Sequence, residues 1–432
     1  MIKPLLIFCF ILQIFTGSYA EVDKSWVQNI IKQYDVRHDV KEILSLKSAP
    51  AEINVTTLGS EDSRLTLEVL LNDGTKATRS VILKALPSTP ALNKQIAESG
   101  LFNTEIGAYR DALPKMEQLL LTLYDRSEPL WVRALGFREY DQLLLEDIVE
   151  ESGYKQANRW EGMNKEQSLL ALKGLAKFHA LSVMANQHAH NKIKEEFKIS
   201  LLERNYETLK DFYEVVFNNF AKLIEEKWGP EWSSAAKKIR EVAPDVKNRL
   251  YQITIKKDSF INALNIGAPN IRNIFFTNHI SDLTSSDKPI AVRFAYFQLA
   301  FFNSPILDVQ YFINTSPNLE VMTKHRNDLL SHYYESLVHY LNKFGSNGKI
   351  PTKDEFSNEI KRTNFDGITT AIQILPVRFE RSKDNPAETM EHFAEQNKNS
   401  NTTTLDPFGM YSKEYTEYMK VLLQNALRDH VL

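Results

Sequence analysis

A change in hydrophobic periodicity near residue 160 constrains the fold more strongly than any other feature of this 432-residue chain. Before it, RLTLEVLL and SVILKALP are short β-rich runs separated by NDGTKATR, in which Asp73-Gly74 is typical of a hairpin turn. After it, residues 165–191, 198–228 and 231–252 carry apolar side chains at three- and four-residue spacing, which predicts long amphipathic helices. The sequence therefore predicts an α+β protein in which a small β-rich lobe precedes a larger helical lobe.

The end of the β-like pattern predicts where the first lobe gives way to the second. We assign the first lobe to residues 21–147 and the second to residues 148–432, because the β-like pattern ends near residue 148. A cleft between the two lobes is where a ligand would bind. The shorter elements expected are a helix over 91–112 that ends before Pro114, β-strands over 131–148, 271–277 and 290–298, and helices over 320–344, 353–363 and 411–430.

The N-terminal segment MIKPLLIFCFILQIFTGSYA has the layout of a secretory signal. One basic residue, Lys3, precedes an apolar run from Pro4 to Phe15, and Ser18 and Ala20 place small side chains at the −3 and −1 positions of a cut after Ala20. The apolar run is shorter than the ~20 residues that a membrane span needs. Residues 1–20 are therefore predicted to be a cleaved signal peptide, the protein to be secreted and extracellular, and stable membrane insertion is not expected.

This prediction has chemical consequences for the mature chain. Cys9 is the only cysteine, so cleavage excludes disulfides, a cysteine nucleophile and cysteine-bound metal. Entry into the secretory pathway would make Asn54, Asn314 and Asn401, each in an Asn-x-Ser/Thr sequon, candidate glycosylation sites. The net charge of −3 provides no basic field for nucleic acid.

The segment LNIGAPNIRNIFF, residues 264–276, is built like the catalytic loop of a phosphotransferase but lacks its reactive groups. In a loop of the H-G-D-x-x-x-x-N kind, the aspartate orients or deprotonates the substrate hydroxyl and the asparagine binds a metal ion. Gly267 and Asn273 stand at the matching spacing, whereas Ile266 and Ala268 replace the histidine and the aspartate.

Several further segments, in the same order, resemble the insect ecdysteroid-kinase-like proteins, also called the choline-kinase-like group. SVILKALP resembles the strand that carries the nucleotide-binding lysine, here Lys84, and LFNTEIGAYRDALP resembles the helix whose glutamate, here Glu105, pairs with it. LLLEDI resembles the hinge between lobes, LAKFHALS a helical signature, and YFQLAFFNSPILDVQYFINTS the metal loop and the helix after it. The resemblance implies a two-lobed protein-kinase-like fold, similar to aminoglycoside phosphotransferases and choline kinases, with a catalytic loop at 264–276 and a metal loop at 294–300.

The resemblance also shows which groups are missing. Active relatives carry H-G-D and D-F-Q where this chain has Ile266-Gly267-Ala268 and Tyr296-Phe297-Gln298, so Ala268 and Tyr296 occupy the catalytic and metal-binding aspartate positions. Loss of a general base alone typically lowers a rate by about 10²–10⁴. We therefore expect no intact catalytic residue and no metal ligand, with Lys84, Glu105 and Asn273 kept as vestigial nucleotide-binding residues.

Three neighbouring features qualify this interpretation. The glycine-rich loop is poor, because TTLGSEDSRL offers Gly59 alone, and the following Glu61 and Asp62 would repel phosphate. His179 lies on an apolar helix face and is expected to be a hydrogen-bonded core residue. Asp308 is expected to cap a helix and to fix the loop rather than to bind metal.

Three functional hypotheses follow. The first is a secreted, catalytically inactive kinase (a pseudokinase) that needs no cofactor and binds a small hydrophobic or alcohol ligand or an extracellular protein. The alternative is an active phosphotransferase of the secretory pathway that uses ATP and Mg²⁺ to phosphorylate the alcohol group of an ecdysteroid or amino alcohol. The third is a structural or storage component whose cleft is filled by apolar side chains or by Tyr296.

Overall fold

The first lobe is built on a five-stranded antiparallel sheet in the order β1-β2-β3-β5-β4. The computed structural model describes residues 22–34, 39–51, 60–87, 90–138, 141–257, 260–281, 284–285, 288–380 and 408–432, so the predicted signal peptide and the sequons at Asn54 and Asn401 lie outside the described residues. The elements of this lobe are α1 (Lys24–Tyr34), β1 (Val40–Pro50), β2 (Glu61–Leu71), β3 (Lys76–Ala85), α2 (Pro90–Ser99), α3 (Leu101–Gly107), a π-helical turn (Ala108–Ala112), α4 (Leu113–Thr122), β4 (Ala134–Arg138) and β5 (Gln142–Glu146).

The two faces of this sheet have different roles. Leu65 and Leu67 of β2 are fully buried and belong to one apolar cluster with Val27 of α1, so α1 covers the outer face. Because successive strand residues point to opposite faces, Lys84 of β3 and its cross-strand partner Asp62 lie on the inner face, toward the second lobe. The sequence alternation therefore places these two polar side chains in the cleft.

The helix expected over 91–112 is divided at Gly100, whose φ is 73°, and its second part continues past Pro114 to Thr122. Proline lacks the N–H that an interior helix position would donate, which is why a stop was predicted. In the structure, the π-helical turn Ala108–Ala112 rearranges the backbone hydrogen bonds, and Pro114 lies in the first turn of α4. A missing N–H is tolerated there.

The second lobe is mainly helical, as predicted. Its helices are α5 (Ile148–Ser152), α6 (Lys165–His188), α7 (Lys192–Glu196), α8 (Leu201–Arg204), α9 (Lys210–Lys227), α10 (Ser233–Val242), α11 (Val246–Ile255), α12 (Ile306–Thr315), α13 (Leu319–Lys324), α14 (Arg326–Lys343), α15 (Lys353–Phe379) and α16 (Lys413–Arg428). Its short strands are β6 (Lys155–Gln156), β7 (Ala263–Asn265), β8 (Ile274–Thr277), β9 (His279–Ser281), β10 (Thr284–Ser285), β11 (Ala291–Phe294) and β12 (Phe301–Asn303).

Helix α6 forms the centre of this lobe. It begins at a capping box in which the Asn164 side chain accepts from the Gln167 N–H, and Leu172, Leu175 and Phe178 are fully buried. It is the one described helix that is long and apolar enough to cross a membrane, and 78% of its apolar window is buried inside the protein. Burial of this kind is typical of a core helix.

The β-strands predicted over 271–277 and 290–298 are present, whereas one predicted helix is longer than expected. Strands β8 and β11 pair antiparallel, with Ile274 opposite Phe294. The helix expected over 353–363 is α15, which runs to Phe379 and contains Pro376. Gly, Thr and Pro lower the helix propensity of its second half, but apolar side chains at helical spacing are buried there, and this tertiary packing overrides propensity.

Candidate active-site cleft

The Lys84–Glu105 pair is formed and completely buried. The Lys84 Nζ atom lies 2.5 Å from Glu105 Oε2, and the two side chains are 0% and 1% exposed. The other carboxylate oxygen, Oε1, accepts a hydrogen bond of 3.3 Å from the backbone N–H of Phe297. Glu105 therefore connects the sheet of the first lobe to the metal-loop segment of the second. A buried ion pair is tolerated because each charge has close partners.

Tyr296 fills the space beside this pair. The centroid of its ring lies 4.2 Å from Lys84 Nζ, and the residue is 4% exposed. Its backbone φ of 68° lies in the left-handed region, which is unfavourable by about 1 kcal/mol for a residue with a side chain. Burial, followed by the nearby Asp62 and Glu105 carboxylates, raises the pKa of Tyr296 well above its usual value, so the phenol is neutral. A neutral, buried ring thus stands where the resemblance implies a metal-binding carboxylate.

Phe297 anchors the same segment in the core. Its ring is 5.5 Å from that of Tyr109, edge to face, and 5.9 Å from that of Phe178, stacked. Tyr109 belongs to the helical segment that carries Glu105, and Phe178 belongs to α6 of the second lobe. These contacts hold the backbone next to Tyr296 between the two lobes.

Asp62, which the sequence predicts only to repel phosphate, lies in the cleft opposite Lys84. Its carboxylate accepts a hydrogen bond of 2.8 Å from the Ser60 hydroxyl. Burial raises the pKa of Asp62 to about 6, although the Lys84 charge, the Ser60 hydroxyl and the approaching Tyr296 hydroxyl oppose the rise. The hairpin register around Asp73-Gly74 could have revealed this neighbour, because it places Asp62 opposite Lys84.

Asp308 holds the loop that resembles a catalytic loop. Its carboxylate accepts backbone N–H bonds from Ile266 at 2.7 Å and Gly267 at 2.9 Å. The expectation that Asp308 fixes the loop is confirmed. The expectation that it caps a helix is wrong, because α12 has no side-chain hydrogen bond at its N-cap, Pro305, and the Asp308 oxygens instead bind the loop.

His179 contacts Asp308 and helps to hold its carboxylate in place. Its Nε2 atom lies 3.1 Å from Asp308 Oδ2 and its Nδ1 atom lies 2.9 Å from the Tyr333 hydroxyl. The side chain is fully buried. The predicted hydrogen-bonded core histidine is confirmed.

The loop itself contains no acid or base beside its glycine. Gly267 has φ of 87°, and a Cβ atom there would lie 2.0 Å from the carbonyl oxygen of Leu299, so only glycine fits. Ala268 is buried and presents a methyl group. The Asn273 amide donates a 2.8 Å hydrogen bond to the Ala268 carbonyl, which closes the loop. The backbone shape of such a loop is present, whereas the proton-accepting group is absent.

These residues do not fit a magnesium–nucleotide complex. Mg²⁺ requires octahedral oxygen ligands at about 2.0–2.1 Å, normally including carboxylates. Tyr296 presents a neutral phenol in a filled space, and Asn273 offers one neutral amide oxygen and no carboxylate. Within the described part of the chain, no group of three or more His, Cys, Asp or Glu side chains could hold a metal ion.

Further contacts connect the two lobes at a distance from the catalytic-like loop 264–276. Asp125, after α4, lies 3.2 Å from Lys177 of α6 and 3.0 Å from Lys343 of α14. Trp131 forms a parallel bridge with Phe294, the last residue of β11. These contacts join the segment between α4 and β4 to the second lobe.

The predicted sequon at Asn314 is not accessible in the folded chain. Asn314 is 5% exposed within α12, and its amide donates hydrogen bonds to the backbone and side-chain oxygens of Gln310 at 2.7 and 3.1 Å. The folded core leaves no room for a glycan at this position, which argues against that prediction.

The chain is similar to one protein family and to several solved structures. The model of the ecdysteroid kinase-like family matches residues 58–346. Among solved structures, the chain is similar to choline kinase LicA from Streptococcus pneumoniae, with 11% identity, a TM-score of 0.34, and coverage of 92% of this chain and 98% of that chain. It is also similar to a thermostable mutant of aminoglycoside phosphotransferase APH(4)-Ia in complex with ADP and hygromycin B, with 10% identity, a TM-score of 0.29, and coverage of 80% and 96%. A search of curated proteins found no match.

Proposed function

The chain belongs to the ecdysteroid kinase-like family, and we propose that it is a member that no longer transfers phosphate and acts by binding. The observation that carries this proposal is the burial of the Tyr296 ring against Lys84 Nζ. In a phosphotransferase that ammonium group contacts the phosphates, and a carboxylate at the tyrosine position would hold the metal. Here both roles are blocked by one side chain.

The chemistry supports the same conclusion. Catalysis of phosphate transfer depends almost entirely on positioning and on electrostatic stabilisation of the transferred group. The chain offers a methyl group at Ala268 where the substrate hydroxyl would be oriented. Neither the substrate nor the phosphates would meet the groups that accelerate the reaction.

The surviving role we propose is binding of a small hydrophobic or alcohol ligand, or of an extracellular protein, without a cofactor. A storage or structural role would also be compatible with a cleft filled by Tyr296. A cavity of about 400 Å³ that remains open between the lobes favours ligand binding, because small-molecule sites typically have about 300–1,000 Å³. We further propose that the protein is secreted after removal of residues 1–20, with glycans at Asn54 and Asn401.

The alternative is an active phosphotransferase that acts on an alcohol group, using ATP and Mg²⁺. The intact Lys84–Glu105 pair favours it, and Asp62 is a carboxylate beside that pair. It would require the Tyr296 ring to leave the cleft and Asp62 to take over as a metal ligand.

Binding and turnover of ATP by the cleaved, secreted protein test the two functions. Thermal unfolding and calorimetric titration would be measured with ATP, with and without Mg²⁺, and phosphate transfer would be followed with ecdysteroids and amino alcohols as acceptors. We expect no Mg²⁺-dependent ATP binding and no transfer. Mg²⁺-dependent stabilisation together with phosphorylation of any acceptor would overturn the proposal and support the active enzyme.

A further inference from the structure

The C-terminal end of α4 carries the two most exposed large apolar side chains in the described part of the chain. Tyr124 is 86% exposed and Leu121 is 69% exposed, whereas the next, Tyr411, is 48% exposed. A single exposed apolar residue is common on protein surfaces and needs no explanation. Leu121 and Tyr124, however, lie three positions apart at one helix end, so their side chains together present apolar surface to solvent.

Tyr124 occupies a helix-end position that glycine usually takes. Its φ of 53° lies in the left-handed region. The Tyr124 N–H donates to the Leu121 carbonyl at 3.1 Å, and the Asp125 N–H donates to the Leu120 carbonyl at 3.0 Å. These two hydrogen bonds are the ones that close a helix in the Schellman motif. A residue without a Cβ atom would adopt this conformation with less strain.

Other helix ends of the same kind show what the position normally holds. Gly345 follows α14, with φ of 73°, and the exposed polar residues His190 and His430 follow α6 and α16. Only after α4, among the described helices that end in this way, does a large apolar ring stand there. Because the Tyr124 ring is almost fully exposed, the core gains little from it. A strained residue that the core does not need points to a role at the surface.

The residue after this tyrosine is the centre of a group of basic side chains. Asp125 is 4% exposed and lies 3.2 Å from Lys177 and 3.0 Å from Lys343. Burial lowers the pKa of Lys177, Asp125 opposes this change, and the charges of Lys343 and Lys173 lower the pKa further. Three ammonium groups are therefore close to a single carboxylate.

The surroundings of Tyr124 carry an excess of positive charge. Arg126 and Lys173 are exposed, and within the described residues neither has an acidic partner. Glu117 and Glu128, the nearest other acidic residues along the chain, each lie within 4.0 Å of an arginine. We call Leu121, Tyr124, Arg126, Lys173 and Lys343 the anchor surface.

We propose that the anchor surface binds an acidic segment of a partner protein, with apolar side chains of that segment packed against Tyr124 and Leu121. A tyrosine is a frequent single anchor in protein interfaces, and flanking cations attract and orient an acidic partner. A membrane with anionic lipids would offer similar charge, but two apolar side chains provide little insertion. The proposal rests on the proposed function in that protein binding is one of its two roles, although this surface lies outside the buried Lys84 site.

A random library of 12-residue peptides displayed on phage tests the preference on the full mature chain. Peptides that bind the double variant Leu121→Ser/Tyr124→Gly would be removed first. We expect the remaining binders to be rich in Asp and Glu and to contain aromatic or aliphatic residues. The affinity of a selected peptide, measured by fluorescence anisotropy, should decrease as salt is added.

Single variants locate the binding site of the selected peptide. Tyr124→Gly should weaken binding about tenfold or more. It should leave the unfolding midpoint nearly unchanged, because the strain relieved at φ of 53° offsets the added freedom of the unfolded chain. Arg126→Glu should weaken binding about threefold or more. The matched controls are Lys47→Glu, at an exposed position of β1, and Ile199→Ser, at an exposed apolar position, and neither should change the affinity.

Three outcomes would overturn the proposal. The first is that no peptide survives the selection, and the second is that the selected peptides are not acidic or bind the variants and their controls equally. The third is Tyr124-dependent sedimentation with phosphatidylserine vesicles, but not with phosphatidylcholine vesicles, in the absence of acidic peptides from the selection. That third result would assign the surface to a membrane.

This experiment can fail separately from the proposed function. If ATP phosphorylates an acceptor while acidic peptides bind through Tyr124, the loss of phosphate transfer is wrong and the anchor surface stands. If ATP neither binds nor reacts and no acidic peptide is selected, the anchor surface is wrong and the loss of phosphate transfer stands.

Discussion

The Lys84 ammonium group lies 4.2 Å from the centre of the Tyr296 ring and 2.5 Å from the Glu105 carboxylate, in a space that solvent does not reach. The lysine is thus surrounded by a carboxylate on one side and by the negative face of an aromatic ring on another. A nucleotide phosphate would have to displace the ring to reach this charge. Lys84 and Glu105, which resemble a nucleotide-binding pair, therefore form part of the core together with Tyr296.

Restoring the two missing carboxylates one after the other should first introduce Mg²⁺-dependent ATP binding and then phosphate transfer. Tyr296→Asp should introduce Mg²⁺-dependent ATP binding, because it opens the space beside Lys84 and supplies a metal ligand. Adding Ala268→Asp should then give measurable phosphate transfer or ATP hydrolysis. At 100 times its dissociation constant, ATP should stabilise the binding variant by about 2.7 kcal/mol in thermal unfolding.

The control for this series is Tyr296→Phe. It keeps the ring over Lys84 and removes only the hydroxyl, so it should gain no ATP binding. ATP binding by Tyr296→Phe, or by the unaltered chain, would show that the ring does not block the site.

Breaking the buried ion pair should destabilise the fold rather than merely remove an unused contact. Lys84→Met leaves Glu105 buried without its main partner, and we expect a loss of about 3–5 kcal/mol in the free energy of unfolding. The double variant Lys84→Met/Glu105→Leu should recover part of this loss, since no unpaired charge remains. Denaturant unfolding monitored by circular dichroism measures both.

Lys76→Met provides a matched comparison. The pair of Lys76 with Glu68 is solvent-exposed, with side chains 65% and 46% exposed, so its loss should change stability by less than about 1 kcal/mol. Similar effects of the two lysine substitutions would contradict a special role for the buried pair.

Gly267 should be far less tolerant of a methyl group than Gly74, although both have positive φ, at 87° and 86°. In Gly267→Ala the new Cβ would lie 2.0 Å from the Leu299 carbonyl oxygen, whereas in Gly74→Ala it would meet nothing within 4 Å. We expect Gly74→Ala to lower stability by about 1 kcal/mol through backbone strain alone, and Gly267→Ala to lower it by at least about twice as much or to prevent folding. Unfolding midpoints that agree for the two variants would show that the loop backbone can move away from Leu299.

Asp62 should make the stability of the protein depend on pH. Its pKa is about 6 in the folded chain against 3.8 as the ordinary value. The folded state therefore binds more protons than the unfolded state between these two values, so the free energy of unfolding falls as pH rises through this window. Relative to Asp62→Asn, the unaltered protein should lose about 2 kcal/mol between pH 4 and pH 7. Parallel stability curves for the two proteins would show that Asp62 does not titrate in this range.

Several cleft residues are predictable from the sequence because each belongs to a short motif of neighbouring residues. The Lys84–Glu105 pair and the Ile266-Gly267-Ala268 loop were recognised from motifs of a few residues each, and the structure brings them to one cleft. Asp62 was misjudged because its environment depends on the strand opposite it. The continuation of helix past Pro114 was missed because a π-helical turn leaves no clear sequence signal.

The sequence by itself determined the two-lobed order of elements and the absence of carboxylates at Ala268 and Tyr296, since periodicity and residue identity are local properties. Only the tertiary structure decided where the Tyr296 ring goes, because a phenol at that position could equally face solvent. Packing of Phe297 between Tyr109 and Phe178 fixes the backbone there and turns the ring onto Lys84.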